Sequence, residues 1–369
     1  MGSRTGLITM HNVCNMGAVL QAYALQARIE MLGSSCEIIN YIPNVRRGIR
    51  NYVPKAQGTG RIRNAVSCVK WLPHRILWRK PYRKFTDSCL HVSGDVFYQD
   101  KKAYGFSFPY DVFVTGSDQV WNPDSTDGFD PFYFLDFVKG KKKVSYAASI
   151  SKTFLQESEK REIARYLDSF GAVSVREQSA VELLAPLVKQ KVECVLDPSL
   201  LLAPDDWEVI GKKSSLYIGG HYLLVYMLGN EPRLMKLAEF IAEKKRLKIV
   251  KFAWDFRKKK GVHVNLAFQT PWDFIAAFSG AEYVVTNSFH GTAFSINYGI
   301  DFACTPSSPE NPRFVSILTQ FGIMDRMYNG CEDMRRYLEG INYADVHAGL
   351  NRLRKKSVLF IKDNIINAG

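Results

Sequence analysis

At 369 residues the chain is too long for one compact core and suits two domains of ordinary size. A composition 46% hydrophobic and 13% aromatic excludes general disorder, and no apolar run nears the roughly 20 residues that span a bilayer. With a net charge of +13 and no charged-then-apolar stretch at the start, the expectation is a soluble, cytoplasmic protein with an anionic partner or substrate.

The first apolar run, Gly6–Met10, opens into a polar turn from His11 to Gly17 that contains Asn15. A helix is predicted over Ala18–Leu32 with Gly33 as its stop, then a strand over Cys36–Tyr41 closed by Pro43. Strand, glycine-bearing turn, helix and strand form the βαβ unit of a parallel sheet. The GxGxxG spacing is absent, so nothing points to NAD or FAD. Further on, Asp111–Thr115 predicts a strand that empties into Gly116-Ser117-Asp118-Gln119-Val120-Trp121-Asn122-Pro123. Such a turn sets backbone donors and a carboxylate at a strand's carboxyl end, the edge that carries ligands in open α/β sheets. Asp118 serves equally well as a turn cap, and Trp121 reads first as packing. A strand at Lys143–Ala148, a helix at Glu157–Phe170 and a strand at Ala172–Val175 ending in Arg176-Glu177 follow. After these come a helix at Gln178–Leu187 and a strand at Val192–Leu196 leading into Asp197-Pro198.

The alternation breaks over Leu202–Ser215, where Pro204, two aspartates and Lys212-Lys213 read as a linker. It then restarts with strands at Tyr222–Met227, Lys248–Phe252, Glu282–Thr286 and Asp301–Cys304, separated by helices at Arg233–Lys245, Trp272–Phe278 and Thr292–Asn297. The expected organisation is therefore α/β: two Rossmann-like domains, residues 1–203 and 216–369, facing a cleft. A last helix over Val346–Asn367 is expected to cross back to the first domain.

Charge and cysteines are both unevenly informative. Twelve Lys or Arg fall between Arg46 and Lys84, with no acid between Glu37 and Asp87. The core of this segment, Arg61–Lys84, interleaves cations with Trp71, Leu72, Leu77 and Trp78, a pattern suited to anionic lipid headgroups. A solvated basic loop or hairpin has the same composition, and no nucleic-acid motif accompanies it. The seven cysteines are scattered and never form a CxxC pair, which argues against a disulfide framework and a zinc site. The seven histidines likewise lack HExxH-type spacing, so no metal is expected.

Ala281–Gly299 concentrates the chemistry. A buried strand passes through Asn287-Ser288-Phe289-His290-Gly291 into a helix opening at Thr292, which aims free N–H groups and a positive helix end beyond the strand. That place suits an anion, and His290 in the same turn is able to deliver a proton. Asn287 and Ser288 are also ordinary N-cap residues, and a turn histidine often only bonds a carbonyl. If the strand ends share one cleft, Asn15, Gly17, Gly116, Ser117, Asp118, Asn122, Arg176, Ser288, His290, Gly291 and Thr292 form a set that binds a phosphorylated, carboxylated small molecule.

Five stretches, GLITMHNVCNMGAVLQAYALQ (6–26), VTGSDQVWNP (114–123), SVREQSA (174–180), VLDPSLL (195–201) and TNSFHGTAFS (286–295), together resemble the polysaccharide pyruvyl transferase family, in the family's order. The resemblance implies a glycosyltransferase-B-type architecture and transfer of the enolpyruvyl unit of phosphoenolpyruvate to a saccharide, usually closing a cyclic ketal. It implies that Arg176 binds the donor and that His290 lies at its phosphate or acts as the acid, with Asp118 left for the acceptor hydroxyl. No cofactor is expected beyond phosphoenolpyruvate as donor substrate, and the acceptor is expected to be a lipid-linked precursor of a bacterial surface polysaccharide. Some family members carry an arginine where this chain has Ser288, and a serine hydroxyl does not replace a bidentate guanidinium. Arg313, Arg257 or Lys258 is expected in its place, or a different donor. A nucleotide-sugar glycosyltransferase and a non-catalytic glycan-binding protein are the competing readings.

Overall fold

The computed structural model describes residues 3–46, 76–100, 102–253 and 260–367. Most of the basic segment and the cations Arg257 and Lys258 lie outside the described residues.

The chain forms two compact units. The first comprises Met1–Arg176, Ala180–Val195 and Leu359–Gly369. Its strands are β1 (Arg4–Ile8), β2 (Ser35–Tyr41), β3 (Val92–Phe97), β4 (Val112–Thr115), β5 (Lys142–Ala148), β6 (Ala172–Val175) and β7 (Val192–Cys194). They make one parallel sheet in the order β3-β2-β1-β4-β5-β6-β7. Its helices include α1 (Met16–Met31), α2 (residues 76–89), the short α3 (Pro123–Thr126) and α4 (Glu157–Leu167). The four residues of β4 are all buried, as a central parallel strand covered on both faces requires. Aromatic rings fill one side: Trp121 stacks on Phe134 at 5.2 Å, Tyr41 on Phe132 at 4.0 Å, and the Trp121 indole N–H donates to the Tyr133 carbonyl. Trp121 is fully buried and packs, as its residue type suggests.

The second unit comprises Glu177–Ser179 and Leu196–Val358. Its strands β8 (Tyr222–Tyr226), β9 (Lys248–Ala253), β10 (Val264–Ala267), β11 (Tyr283–Thr286) and β12 (Asp301–Cys304) form a parallel sheet in the order β10-β9-β8-β11-β12. Helix α5 (Gln178–Leu184) begins at the chain's passage between units, and α6 (Pro204–Gly211), α7 (Pro232–Lys245), α8 (Pro271–Ser279), α9 (Phe289–Tyr298), α10 (Pro312–Gln320) and α11 (Tyr343–Ile361) follow. In both sheets the strand order runs outward in two directions from a central pair, β1/β4 in one and β8/β11 in the other. That is the doubly wound arrangement, and its reversal point opens a crevice at the carboxyl edge.

Several elements differ from expectation for identifiable reasons. The linker expected over Leu202–Ser215 contains α6: Pro204 occupies the first helical position, where a missing N–H costs nothing, and the Asp206 carboxylate accepts the Ala203 N–H at 2.9 Å. The proline and aspartates that read as breakers are the helix's own start signals. The edge strand β3 carries Ser93, Gly94 and Asp95 and is only partly buried, so it shows no apolar alternation. The final helix begins at Tyr343, earlier than Val346, and ends at Ile361 before a π-helical turn over Lys362–Ile366.

Trp207 of α6 is fully buried, packs on Phe294 with ring centroids 5.0 Å apart, and donates from its indole to the Ser199 carbonyl at 3.2 Å. Trp207→Ala is expected to cost about 3–5 kcal/mol. Urea unfolding followed by circular dichroism checks this, and an unchanged midpoint contradicts it.

Candidate active site

In the first unit the exit of β4 is held against the exit of β1. Gly116 donates its N–H to the Ile8 carbonyl at 2.8 Å, and Thr9 Oγ1 donates to the Ser117 carbonyl at 3.0 Å while accepting from Gln21 Nε2 at 3.0 Å. A Cβ on Gly116 would sit 3.1 Å from both Leu7 Cδ1 and Thr9 Cβ, so the glycine is there for close packing. Asn15 caps α1, its side chain accepting the Ala18 N–H at 3.1 Å, and Gly17 lies inside that helix's first turn. Asn122 is likewise engaged, capping α3 through Asp124 N and donating to Gln119 Oε1 at 2.7 Å. Asn15 and Asn122, both expected at the substrate, thus use their Oδ1 atoms to cap a helix start, and Asn122 Nδ2 is on the Gln119 side chain.

Asp118 stands apart from these. It adopts φ +72°, bridges in parallel to Ala148, and its carbonyl accepts the Ser149 N–H at 3.1 Å. Nearby, Ala147 (φ +52°) and Ser151 (φ +55°) are also left-handed. Three such non-glycine residues on one sheet edge carry a cost of order 1–3 kcal/mol each, and strain of this kind gathers at working sites. Arg176 ends the next strand, its N–H on the Ala148 carbonyl at 3.3 Å. Asp118, Ala148 and Arg176 therefore stand on three successive strand exits, and the backbones of the outer two are about 10 Å apart, two strand spacings. Both side chains are largely buried, Asp118 8% and Arg176 5% exposed. Gly116, Ser117, Asp118 and Arg176 thus share one edge, beside the reversal point of the first sheet.

In the second unit the expected turn is found after β11, with the helix opening earlier than Thr292. α9 begins at Phe289, with Ser288 as N-cap. Gly291 N–H goes to Ser288 Oγ at 3.4 Å and Thr292 N–H to the Ser288 carbonyl at 3.0 Å, so these two donors are used within the helix and its cap. Gly291 is required by packing, because a Cβ there would overlap Thr286 Oγ1 and lie 2.9 Å from Thr286 Cβ. Thr292 is fully buried, with its hydroxyl on the Ser288 carbonyl at 3.3 Å. Asn287 spans the β8/β11 reversal, accepting from Leu228 N at 2.7 Å and donating to the Leu228 carbonyl at 2.8 Å. Arg313 lies in the first turn of α10, which packs on α9.

His290 has a partner that the sequence reading did not assign. Its Nε2 lies 3.9 Å from Asp197 Oδ2, with the two side chains 8% and 1% exposed. The other carboxylate oxygen, Oδ1, accepts from Ser199 N at 2.9 Å and Ser199 Oγ at 2.7 Å. The segment bearing Asp197 is tied to α9 by Asn297, whose Nδ2 donates to the Ser199 and Leu202 carbonyls, and by Arg354, which donates to Asn297 Oδ1 and the Leu200 carbonyl. The available signal was an aspartate set within the apolar run VLDPSLL with a serine two residues on, a carboxylate turned inward and capped.

The polysaccharide pyruvyl transferase family matches over residues 15–309. The chain belongs to that family. A search of curated proteins gives no match. Among solved structures, the glycotransferase of kitacinnamycin is 11% identical, covers 98% of this chain and 99% of its own, and has a TM-score of 0.50. Arabidopsis thaliana UGT89C1 complexed with quercetin is 12% identical over 98% of this chain and 96% of its own, TM-score 0.49. The UDP-GlcNAc 2-epimerase of Neisseria meningitidis bound to UDP-GlcNAc is 9% identical over 97% and 94%, TM-score 0.49. The likeness to the first of these, with the two doubly wound sheets, gives the fold: two Rossmann-like domains of glycosyltransferase-B type. No described helix is long and apolar enough to cross a membrane.

One buried histidine beside β1 makes the first unit pH-sensitive. His11 is 2% exposed, with Nδ1 at the Thr9 carbonyl and Nε2 at Asn40. Burial pushes its pKa below the ordinary 6.5, outweighing both bonds. The unfolded chain then binds the extra proton first, so stability is complete above the ordinary value and is lost as pH falls through it. From about pH 7.5 to about pH 5.5 the melting temperature of the wild type is expected to fall further than that of His11→Gln. Equal falls would remove His11 as the cause.

Proposed function

We propose that this transferase moves the pyruvyl unit of phosphoenolpyruvate onto a saccharide and closes a cyclic pyruvate ketal, on a lipid-linked precursor of a bacterial surface polysaccharide. The observation that carries the reading is His290 on the first turn of α9 with the buried Asp197 carboxylate against its Nε2.

The donor's chemistry sets what the residues must do. The C3 methylene of phosphoenolpyruvate gains a proton and C2 becomes cation-like. A sugar hydroxyl adds to C2 with loss of its proton, phosphate leaves with the C2–O electron pair, and a second hydroxyl adds to complete the ketal, its proton going to the departing phosphate. His290 supplies the proton to C3, while Asp197 orients the ring and stabilises the positive charge it carries beforehand. Arg176 holds the donor's anionic groups through its planar fork, and Asp118, held in its strained turn, takes the proton of the acceptor hydroxyl. Arg313 is the described cation proposed to take the place of the arginine absent at Ser288.

Part of the basic segment is described, and α2 exposes Ile76, Leu77, Lys80 and Lys84. Apolar and cationic side chains on one outward face suit peripheral docking to anionic lipid.

His290→Ala and Arg176→Ala are each expected to lower phosphate release from phosphoenolpyruvate by about 100-fold or more with the melting temperature kept, and wild-type turnover in either removes that residue from the mechanism. Asp197→Asn is expected to retain the fold and displace the pH profile of kcat/KM. In a thermal-shift screen phosphoenolpyruvate is expected to stabilise the protein, and stabilisation by nucleotide sugars alone would favour a glycosyltransferase. Flotation with phosphatidylglycerol vesicles is expected to weaken as salt rises, and indifference to anionic lipid counts against docking.

A further inference from the structure

The first unit contains a cavity of about 610 Å³ that Asp118 and Arg176 do not line. Its volume falls within the ~300–1,000 Å³ of small-molecule sites. It lies between the inner flank of α2 and the exits of β1 and β2, with part of β3 as a wall. The lining mixes apolar and polar groups, and among the polar ones His11 and Asn12 follow β1, Asn40 belongs to β2 and Ser93 to β3, while Arg79 and Arg83 come from α2.

The two arginines are four residues apart on one helix, which sets both guanidiniums on the same face, one turn from each other. Arg79 is positioned by a neighbour, whereas Arg83 is exposed at the cavity's rim and faces the Asp87 carboxylate, which also lines it. Arg79 Nη2 donates to Asn12 Oδ1 at 3.0 Å, and Arg83 Nε stands 3.5 Å from Asp87 Oδ2. A pair of planar forks at this spacing matches the oxygens of a phosphate or diphosphate. The opposite wall differs in kind. Asn40 and Ser93 are joined through the Asn40 N–H on Ser93 Oγ at 3.0 Å, and His11 is fixed by Thr9 and Asn40. Amide, hydroxyl and neutral imidazole groups are donors and acceptors for sugar hydroxyls, which a bare anion does not need. An arginine pair at one side and a hydroxyl-matching wall at the other describe a ligand with a charged end and a neutral polyol end.

We propose that this cavity is the acceptor subsite, taking a saccharide through its anomeric phosphate or diphosphate, with Arg79 and Arg83 on the phosphate oxygens and Asn12, Asn40 and Ser93 on the sugar ring. The inference rests on the transferase reading for the word acceptor, and the binding itself is independent of it. The outer face of the same helix carries Lys80 and Lys84, so a saccharide whose phosphate continues into a lipid enters with its lipid on the side where α2 faces outward.

Calorimetric titration of the full-length protein, without phosphoenolpyruvate, tests the assignment. The probes are a panel of hexose and N-acetylhexosamine 1-phosphates, the matching free sugars, inorganic pyrophosphate and glycerol 3-phosphate. At least one sugar 1-phosphate is expected to bind about tenfold or more tightly than its free sugar and than either simple phosphate. Arg79→Gln and Arg83→Gln are each expected to weaken it about tenfold, with melting temperature unchanged. Arg83 is exposed, so Arg83→Gln decides the matter if Arg79→Gln disturbs the helix. Binding of free sugar as tightly as its phosphate, or no loss in the Arg83 variant, overturns the proposal. Equal binding of pyrophosphate or glycerol 3-phosphate overturns it too, leaving an anion or headgroup site with no saccharide recognition. Failure here leaves pyruvyl transfer standing, because no donor is present, whereas absent phosphate release with intact sugar-phosphate binding would sink only the transferase reading.

Discussion

The hydroxyl of Thr286 decides where the second unit's histidine sits. It donates to the Tyr226 carbonyl at 2.7 Å, fixing β11 to β8 at the reversal of strand order, and accepts the Ser288 N–H at 3.0 Å, which turns the chain into α9. The helix then comes down onto that same side chain, and only a residue without a Cβ permits the approach at position 291. Ser288, at the N-cap, absorbs the donors of Gly291 and Thr292. What this leaves is a ring at position 290 carried on the first turn of a helix whose start is held by side-chain and backbone bonds, without a loop's freedom.

The carboxylate that meets this ring comes from 93 residues earlier in the chain, at Asp197. Its position is as determined as the ring's: Ser199 occupies one oxygen, and Asn297 and Arg354 bind the surrounding carbonyls to α9 and α11. In the first unit the logic is different. Asp118 is placed by backbone pairing with β5 in a left-handed conformation, and Arg176 by pairing with the same strand from the other side. One candidate group is anchored by side-chain bonds and the others by extensions of the sheet ladder.

The central strands and the helices between them were legible because their signals are local. A run such as Val112–Thr115, buried on every residue, is apolar up to its last position, and Gly33 and Gly299 mark helix ends at φ +98° and +70°. Of the four edge strands, β7 and β12 were legible, while β3 and β10 were not, since both are partly exposed and lack the contrast that periodicity measures. α6 was hidden by reading Pro204 and its aspartates as a break rather than as a first turn. His290, Arg176 and Asp118 stood out as polar residues directly after apolar runs. Asp197 did not, because the fact that matters about it is a contact distant in sequence, and the capping by Asn15 and Asn122 was legible only as one use of a residue type that serves caps and ligands alike.

The first unit also depends on the end of the chain. Residues 359–369 belong to it, Phe360 approaches Tyr146 with ring centroids 6.2 Å apart, and Ile361 and Ile365 are fully buried. A ribosome releasing this polypeptide in order therefore finishes the second unit's residues before it has produced the last piece of the first. A unit made largely before the second is thus completed by residues made after it, and until those arrive the apolar seat for Phe360, Ile361 and Ile365 waits open.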